Sequence, residues 1–114
     1  MKILVWNCRG MRKPAAVRAL LGIQERIKPD VLFLSETHLN IVKAGKLIRK
    51  LKMDRVEVVE SVGASGGLIL FWCCPMVMQI HDNNKKFIDA TVGTRPEEQW
   101  RLTGFYGEPS GGRK

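Results

Sequence analysis

The sequence predicts an α/β fold, and two observations support this prediction. The first is the order strand, helix, strand over the first third of the chain. The second is the run at residues 31–34, four apolar residues in succession, which is typical of a strand covered on both faces. A strand–helix–strand unit of this kind is right-handed, and its two strands are parallel. The first third of the chain is therefore predicted to start a sheet with helices packed on it.

The first three elements follow from apolar runs and turn residues. Residues 3–6 are all apolar and predict the first strand, which ends in a turn at residues 7–10. Pro14 opens the first helix, because the first helical position tolerates a missing N–H. Pro29 ends that helix, and the second strand follows it. Apolar side chains recur at helical spacing along this helix, namely Val17, Leu20, Leu21 and Ile27, with Gln24 on the same face.

A second helix is predicted over residues 40–52, and its polar face is strongly basic. Five cations occur on it with no acidic residue between them. Such a face is either a solvated surface or a contact surface for nucleic acid, and the sequence leaves both interpretations open. The cations are Lys43, Lys46, Arg49, Lys50 and Lys52.

The second half of the chain predicts strands separated by polar turns. The longest apolar strand in it is preceded by a glycine-rich loop at residues 63–67. Other turns are predicted at residues 81–86 and 94–98, which are rich in polar residues. The predicted strands cover residues 55–59, 68–74, 76–80, 87–92 and 100–106.

Composition limits the classes of protein that the chain can belong to. It has 114 residues, enough for one small domain, and a net charge of +8, which favours an anionic partner. Three cysteines do not make a disulfide framework, so we expect reduced thiols. The apolar start of the chain is too short for a signal peptide, and the uncharged residues 61–80 contain glycines and a proline that disfavour a membrane span. We therefore expect an intracellular protein, nuclear or cytoplasmic.

Two polar side chains follow the two predicted parallel strands. Asn7 comes after the first strand and Glu36 after the second. Because parallel strands end at the same edge of a sheet, both residues are predicted to lie at one edge, where open α/β sheets bind ligands. Alternatively, Ser35 or Thr37 caps the next helix and Glu36 faces its positive end.

Four short motifs occur in an order that resembles the endonuclease/exonuclease/phosphatase superfamily. More closely, the chain resembles the endonuclease domain of plant LINE-type (non-LTR) retrotransposons, over the N-terminal half of that domain. Each motif is weak alone, whereas their order and spacing together are specific. The motifs are VWNCRG at residues 5–10, SETHL at 35–39, SGGL at 65–68 followed by FW at 71–72, and GFYGEP at 104–109.

The resemblance implies a fold, a reaction and a set of site residues. The family's fold is a four-layer α/β sandwich, of which this chain would form a truncated part, and its members hydrolyse phosphodiester or phosphomonoester bonds with Mg²⁺ (or Mn²⁺). Carried over to this chain, Glu36 and Asn7 would hold the metal, and Tyr106 would contact the scissile phosphate of DNA. Thr37 and Ser65 would help to bind the substrate, whereas His38 belongs to the structure of its motif.

The chain also departs from the family. The family's later Gly-Asp-x-Asn and Asp-His motifs are missing after Tyr106, and Asp82 with its neighbours His81 and Asn83 does not replace them. Residues 1–109 are therefore predicted to be half of such a domain, with a flexible tail at 110–114, and to be inactive alone. A sheet face left without its partner would expose apolar side chains to water and cause self-association; the residues expected to be exposed are Leu68, Leu70, Phe71, Trp72 and Trp100. The alternatives are a non-catalytic basic fragment that binds nucleic acid, or a half-domain without function.

Overall fold

The computed structural model describes residues 1–62 and 66–105. The order of its elements agrees with the predicted one. The elements are β1 (Ile3–Asn7), α1 (Pro14–Ile27), β2 (Val31–Ser35), α2 (Ile41–Leu51), β3 (Arg55–Val59), β4 (Leu68–Trp72), β5 (Met78–Asn83), β6 (Phe87–Val92), a 3₁₀ turn (Pro96–Glu98) and β7 (Trp100–Phe105).

The strands form two sheets. The first has the order β1-β2-β4-β3, in which β1 and β2 are parallel and the other neighbours are antiparallel. The second sheet is antiparallel, with the order β5-β6-β7. The predicted βαβ unit is confirmed, since β1 and β2 are parallel neighbours and α1 connects them.

Side-chain and backbone groups cap both ends of the helices. Pro14 is the first residue of α1, as predicted, and Lys28 ends that helix in the left-handed conformation. At the start of α2, Oδ1 of Asn40 accepts a hydrogen bond from the backbone N–H of Lys43 at 2.9 Å. The carboxylate of Glu60 accepts another from the N–H of Ile41 at 2.8 Å. Asn40 and Glu60 therefore cap α2, so the alternative in which Ser35 or Thr37 caps it is excluded.

The first sheet is buried on both faces in its centre. On one face, side chains of β2 and β4 such as Leu34 and Phe71 pack against α1 and α2. On the other face, Phe33 and Leu70 pack against the second sheet around Ile88. The described residues thus form three layers, helices on a mixed sheet on an antiparallel sheet, which is the greater part of the predicted sandwich.

The prediction that the strands of the first sheet would lack a partner is wrong for its central strands. Leu68 and Phe71 are fully buried and Trp72 is 8% exposed, whereas all three were expected to face water. Leu68 and Trp72 are covered by β5, β6 and β7, which form the facing sheet within this chain, and Phe71 is covered by the helices. Trp100, which was also expected to face water, is 36% exposed, so the expectation holds for this residue.

The prediction of a loop over residues 81–86 is also wrong. Strand β5 begins at Met78 and continues through Asn83, with a bulge between Ile80 and Asp82. The turn is then short, because Oδ1 of Asn84 accepts hydrogen bonds from the N–H groups of Lys86 and Phe87 at 2.8 and 3.1 Å. A bulge absorbs the extra residue and lets a polar segment continue as a strand.

Strand β1 is the part of the first sheet that the second sheet does not cover. It is an edge strand, and Ile3 and Val5 are 43% and 67% exposed on the face that carries Phe33 on β2. An edge strand with exposed apolar side chains presents unpaired backbone groups to another chain. We therefore expect that two copies of the chain contact each other through β1.

Replacing Ile3 and Val5 together with threonine should weaken self-association, because threonine retains β-propensity while it removes apolar surface. Sedimentation equilibrium measures the change in the dissociation constant. Val42→Thr is the matched control, since Val42 is 66% exposed but lies on α2. A wild-type chain that stays monomeric at the highest concentration reached would contradict this prediction.

Within the described part of the chain, no helix combines the length and the apolar character needed to cross a membrane.

Candidate functional site

Glu36 is the first residue after β2, and its backbone is strained. Its φ is +53°, in the left-handed region that residues other than glycine rarely adopt, and the residue is 9% exposed. Five non-glycine residues among 1–62 and 66–105 have a positive φ. Two of them end helices, and the other three, Arg9, Glu36 and His38, lie together here. Strain of about 1–3 kcal/mol per residue persists only where the surroundings enforce it, and such positions cluster at functional sites.

The segment that follows β1 enforces this conformation through the backbone. Past the last pair of the parallel strands, the N–H groups of Cys8, Gly10 and Met11 donate to three successive carbonyl oxygens. The acceptors belong to Ser35, Glu36 and Thr37, at 2.9, 2.7 and 2.8 Å. The two segments therefore continue side by side beyond the sheet.

Asn7 lies at this edge beside the Glu36 segment. It is the last residue of β1, pairs with Ser35 in the parallel register, and is exposed. Its Oδ1 accepts a hydrogen bond from the N–H of Arg9 at 3.2 Å, which leaves one lone pair of that oxygen for a ligand. The structure thus brings Asn7 and Glu36 to one edge of the sheet.

Thr37 and Gly67 hold the backbone on the C-terminal side of Glu36 in place. Thr37 is fully buried, and its N–H donates to the carbonyl oxygen of Gly67 at 3.2 Å. Its Oγ1 accepts from the N–H of Leu39 at 3.4 Å. A Cβ atom on Gly67 would lie 2.4 Å from that Oγ1, so only glycine allows this approach. The Thr37 side chain thus supports the backbone of the site, and its predicted contact with substrate stays a prediction.

His38 packs on the turn after β1. A Cβ atom on Gly10 would lie 2.9 Å from Nδ1 of His38, so the imidazole occupies the space that a side chain at position 10 would need. The N–H of His38 donates to the carbonyl oxygen of Gly66 at 2.9 Å. These contacts agree with the interpretation of His38 as a structural residue of its motif.

Cys8 is a residue of this site that the sequence did not single out. Burial, and to a lesser degree the negative charge of Glu36, together raise the pKa of its thiol to about 12. The thiol therefore stays protonated and unreactive at neutral pH. The signal for it in the sequence was only its position beside Asn7.

Two of the predicted site residues, Ser65 and Tyr106, lie outside the described residues, as do the tail at 110–114 and the end of the predicted half-domain. The residues rejected as substitutes for the later motifs have contacts of their own on β5. His81 bonds the hydroxyl of Thr91, and the amide of Asn83 donates to Glu57.

Mg²⁺ fits the residues that are present at this edge. Residues 1–62 and 66–105 contain no cluster of three or more His, Cys, Asp or Glu side chains that could hold a metal ion. Mg²⁺ does not need one, because it keeps several waters and binds through one or two carboxylates together with phosphate oxygens of the substrate. Glu36 and Asn7 supply one carboxylate and one amide oxygen at this edge, and they are the residues that would hold the ion.

Comparison with solved structures gives the fold independently of the motifs. The structure of the AP endonuclease LMAP from Leishmania major superimposes with a TM-score of 0.66 and 20% sequence identity, over 92% of this chain. The structure of a humanized D. rerio TDP2 carrying 14 mutations does so with a TM-score of 0.62 and 18% identity, over 90% of this chain. The chain shares their fold. The predicted α/β fold class is therefore confirmed.

The match extends over only part of each neighbour. The chain spans 39% of the AP endonuclease chain and 48% of the TDP2 chain. No protein-family model and no curated protein matches the sequence.

Proposed function

We propose that the chain forms the metal-binding part of a Mg²⁺-dependent phosphodiesterase that acts on DNA. The observation that supports this function is the geometry at the end of β2. Glu36, a buried residue with a strained backbone, lies there at the same sheet edge as the exposed Asn7. A fold shared with an AP endonuclease agrees with this function.

Each site residue has a chemical role in this proposal. The Glu36 carboxylate and the Asn7 Oδ1 atom are the protein ligands of Mg²⁺, with Mn²⁺ as an alternative ion. When bound, the ion would offset the charge of the phosphate and stabilise the leaving oxygen. Tyr106 contacts the scissile phosphate, and Thr37 and Ser65 help to hold the substrate. Since the chain spans less than half of either neighbour, we expect these residues to act with further groups that the described residues do not supply.

We further propose that the chain derives from a LINE-type retrotransposon of the plant kind. The four motifs and their order support this origin, and the nucleus or cytoplasm would then be its location. The partner would be duplex DNA, which the net charge of +8 attracts through its phosphates.

Binding of Mn²⁺ to the isolated chain tests the metal site directly. We expect Mn²⁺ to broaden the NMR signals of residues next to Asn7 and Glu36 and to leave those of β5 unchanged. Glu36→Gln should weaken Mn²⁺ binding by about tenfold or more, because it replaces the only carboxylate in the donor set by a neutral amide. The affinity can be measured from the free Mn²⁺ signal in electron paramagnetic resonance.

Glu25→Gln is the matched control, because Glu25 is exposed on α1 and lies away from the edge. This variant should bind Mn²⁺ like the wild type. If Glu36→Gln binds Mn²⁺ as tightly as Glu25→Gln while both remain folded, Glu36 does not hold the metal and the proposed function loses its main support.

A further inference from the structure

A groove runs between the two helices on the outer side of the molecule. It has a volume of about 480 Å³ and is formed by α1, α2 and the segments that precede them. Met11 and Leu39, which end the two segments of the candidate site, lie at its base. The groove therefore begins next to the edge that carries Asn7 and Glu36 but belongs to the helix layer.

The walls of the groove are basic on both sides. Five cations line it and no acidic side chain does. Among the described residues, none of the five has a carboxylate within ion-pair distance. A set of uncompensated cations around one concave surface attracts an anionic partner. These cations are Arg12, Arg18, Lys43, Lys46 and Lys50.

The floor of the groove is apolar. Met11, Leu39 and Leu47 are 3–4% exposed and form its base, where they belong to the core beneath the helices. Val17 and Leu21 of α1 are half-buried and face the groove from the side. An apolar floor between basic walls requires an occupant that supplies both apolar surface and negative charge.

An amphipathic helix meets both requirements. A groove between two helices accepts the side-chain ridge of a third helix, and apolar anchors at helical spacing can then reach the floor. Acidic residues that flank those anchors would face the cations on α1 and α2. A DNA duplex satisfies only the cations, because its phosphates cannot bury Val17 and Leu21.

We propose that this groove binds an acidic amphipathic helix of a partner protein. The basic face of α2 then serves a protein contact rather than DNA, at a place adjacent to the candidate metal site. This inference does not depend on the proposed function, because it uses neither Asn7 nor Glu36.

A synthetic peptide tests the proposal with the wild-type chain. The probe is a fluorescein-labelled helical peptide of four turns with leucines along one face and glutamates flanking them. Fluorescence anisotropy should detect its binding, and a peptide of the same composition in scrambled order should bind at least about tenfold more weakly, since it lacks the apolar face.

Charge-reversal variants locate the binding surface. Lys43→Glu with Lys46→Glu should weaken peptide binding by about tenfold or more. The control is Lys85→Glu with Lys86→Glu, two exposed residues at the β5–β6 turn, which makes the same change in net charge away from the groove. Both lysines in each pair are exposed, and circular dichroism checks that the fold is kept.

A substitution in the apolar part of the groove distinguishes an amphipathic helix from a ligand that is only anionic. Val17→Asn should weaken binding of the peptide but leave binding of a short DNA duplex unchanged. The proposal is overturned if the scrambled peptide binds as well as the designed one. It is overturned likewise if the two charge-reversal variants have the same affinity for the designed peptide. It is also overturned if DNA, but not the peptide, loses affinity in the variant with Lys43 and Lys46 reversed, because the groove wall would then be a nucleic-acid surface.

Discussion

Replacing Gly67 with alanine should lower the free energy of unfolding by about 2–4 kcal/mol, the sum of a left-handed backbone penalty and overpacking. The φ of Gly67 is +98°, which L-residues rarely adopt. The new Cβ atom would lie 2.4 Å from Oγ1 of Thr37 and 3.2 Å from the backbone nitrogen of His38. Neither neighbour can move freely, since Thr37 is fully buried and His38 donates to the carbonyl oxygen of Gly66. Urea unfolding followed by tryptophan fluorescence measures the change.

Gly66→Ala is the matched control for this substitution. Its φ is +77°, yet nothing lies within 4 Å of the position of its Cβ atom. Gly66→Ala should therefore lower the free energy of unfolding only by the cost of a left-handed backbone, about 1 kcal/mol. Combining Gly67→Ala with Thr37→Ala removes the closest colliding atom, and the double variant should lose less stability than the sum of the two single ones. Equal stability losses in Gly66→Ala and Gly67→Ala would show that the contact with Thr37 is not rigid.

The collision at Gly67 has a consequence for the candidate site. Thr37 follows Glu36 directly, and its backbone N–H donates to the Gly67 carbonyl oxygen. Pushing these two segments apart would displace the carboxylate of Glu36 from the edge. We therefore expect the metal affinity of Gly67→Ala to fall together with its stability, whereas that of Gly66→Ala should be retained.

Local sequence patterns were enough to predict the elements of the first sheet. The apolar run at residues 31–34 identified β2, and Pro14 and Pro29 bounded α1 within a few residues. The topology of one βαβ unit then sufficed to place Asn7 and Glu36 at the same edge. Each of these inferences needs only neighbours in sequence or the fixed handedness of one crossover.

The strained backbone of the site could not be predicted in this way. Glu36 has a positive φ because the N–H of Gly10 reaches its carbonyl oxygen from another strand end. The hydrogen bond from the N–H of Cys8 to the carbonyl oxygen of Ser35 is likewise a contact between distant segments. Local propensity argues against a left-handed glutamate, and tertiary hydrogen bonds override it.

The facing sheet was missed for a related reason. Strands β5 and β7 alternate between apolar and polar residues, so the sequence indicates one covered face but not what covers it. The resemblance suggested that the covering sheet comes largely from residues beyond this chain. In the structure, the covering sheet packs on β2 and β4 from within the chain, and the described residues of β1 leave Ile3 and Val5 exposed.

Replacing Gly104 with alanine tests this packing of one sheet on the other. Gly104 is on β7, and a Cβ atom there would lie 2.6–2.7 Å from three ring atoms of Phe33 on β2. The φ of Gly104 is not positive, so the substitution adds no backbone strain of that kind. Its whole cost is overpacking against a ring that is 3% exposed, and we expect a loss of about 1–3 kcal/mol in the free energy of unfolding.

Two further variants make this result specific to the contact between the sheets. Phe33→Leu combined with Gly104→Ala provides room for the new methyl group and should recover part of the lost stability. Gly22→Ala, within α1 and with nothing within 4 Å of its Cβ position, should instead stabilise the chain by about 0.5–1 kcal/mol through helix propensity. If Gly104→Ala is as stable as the wild type, the two sheets do not meet at Phe33. The central strands of the first sheet would then be open to water, and self-association would have to be expected at that face as well as at β1.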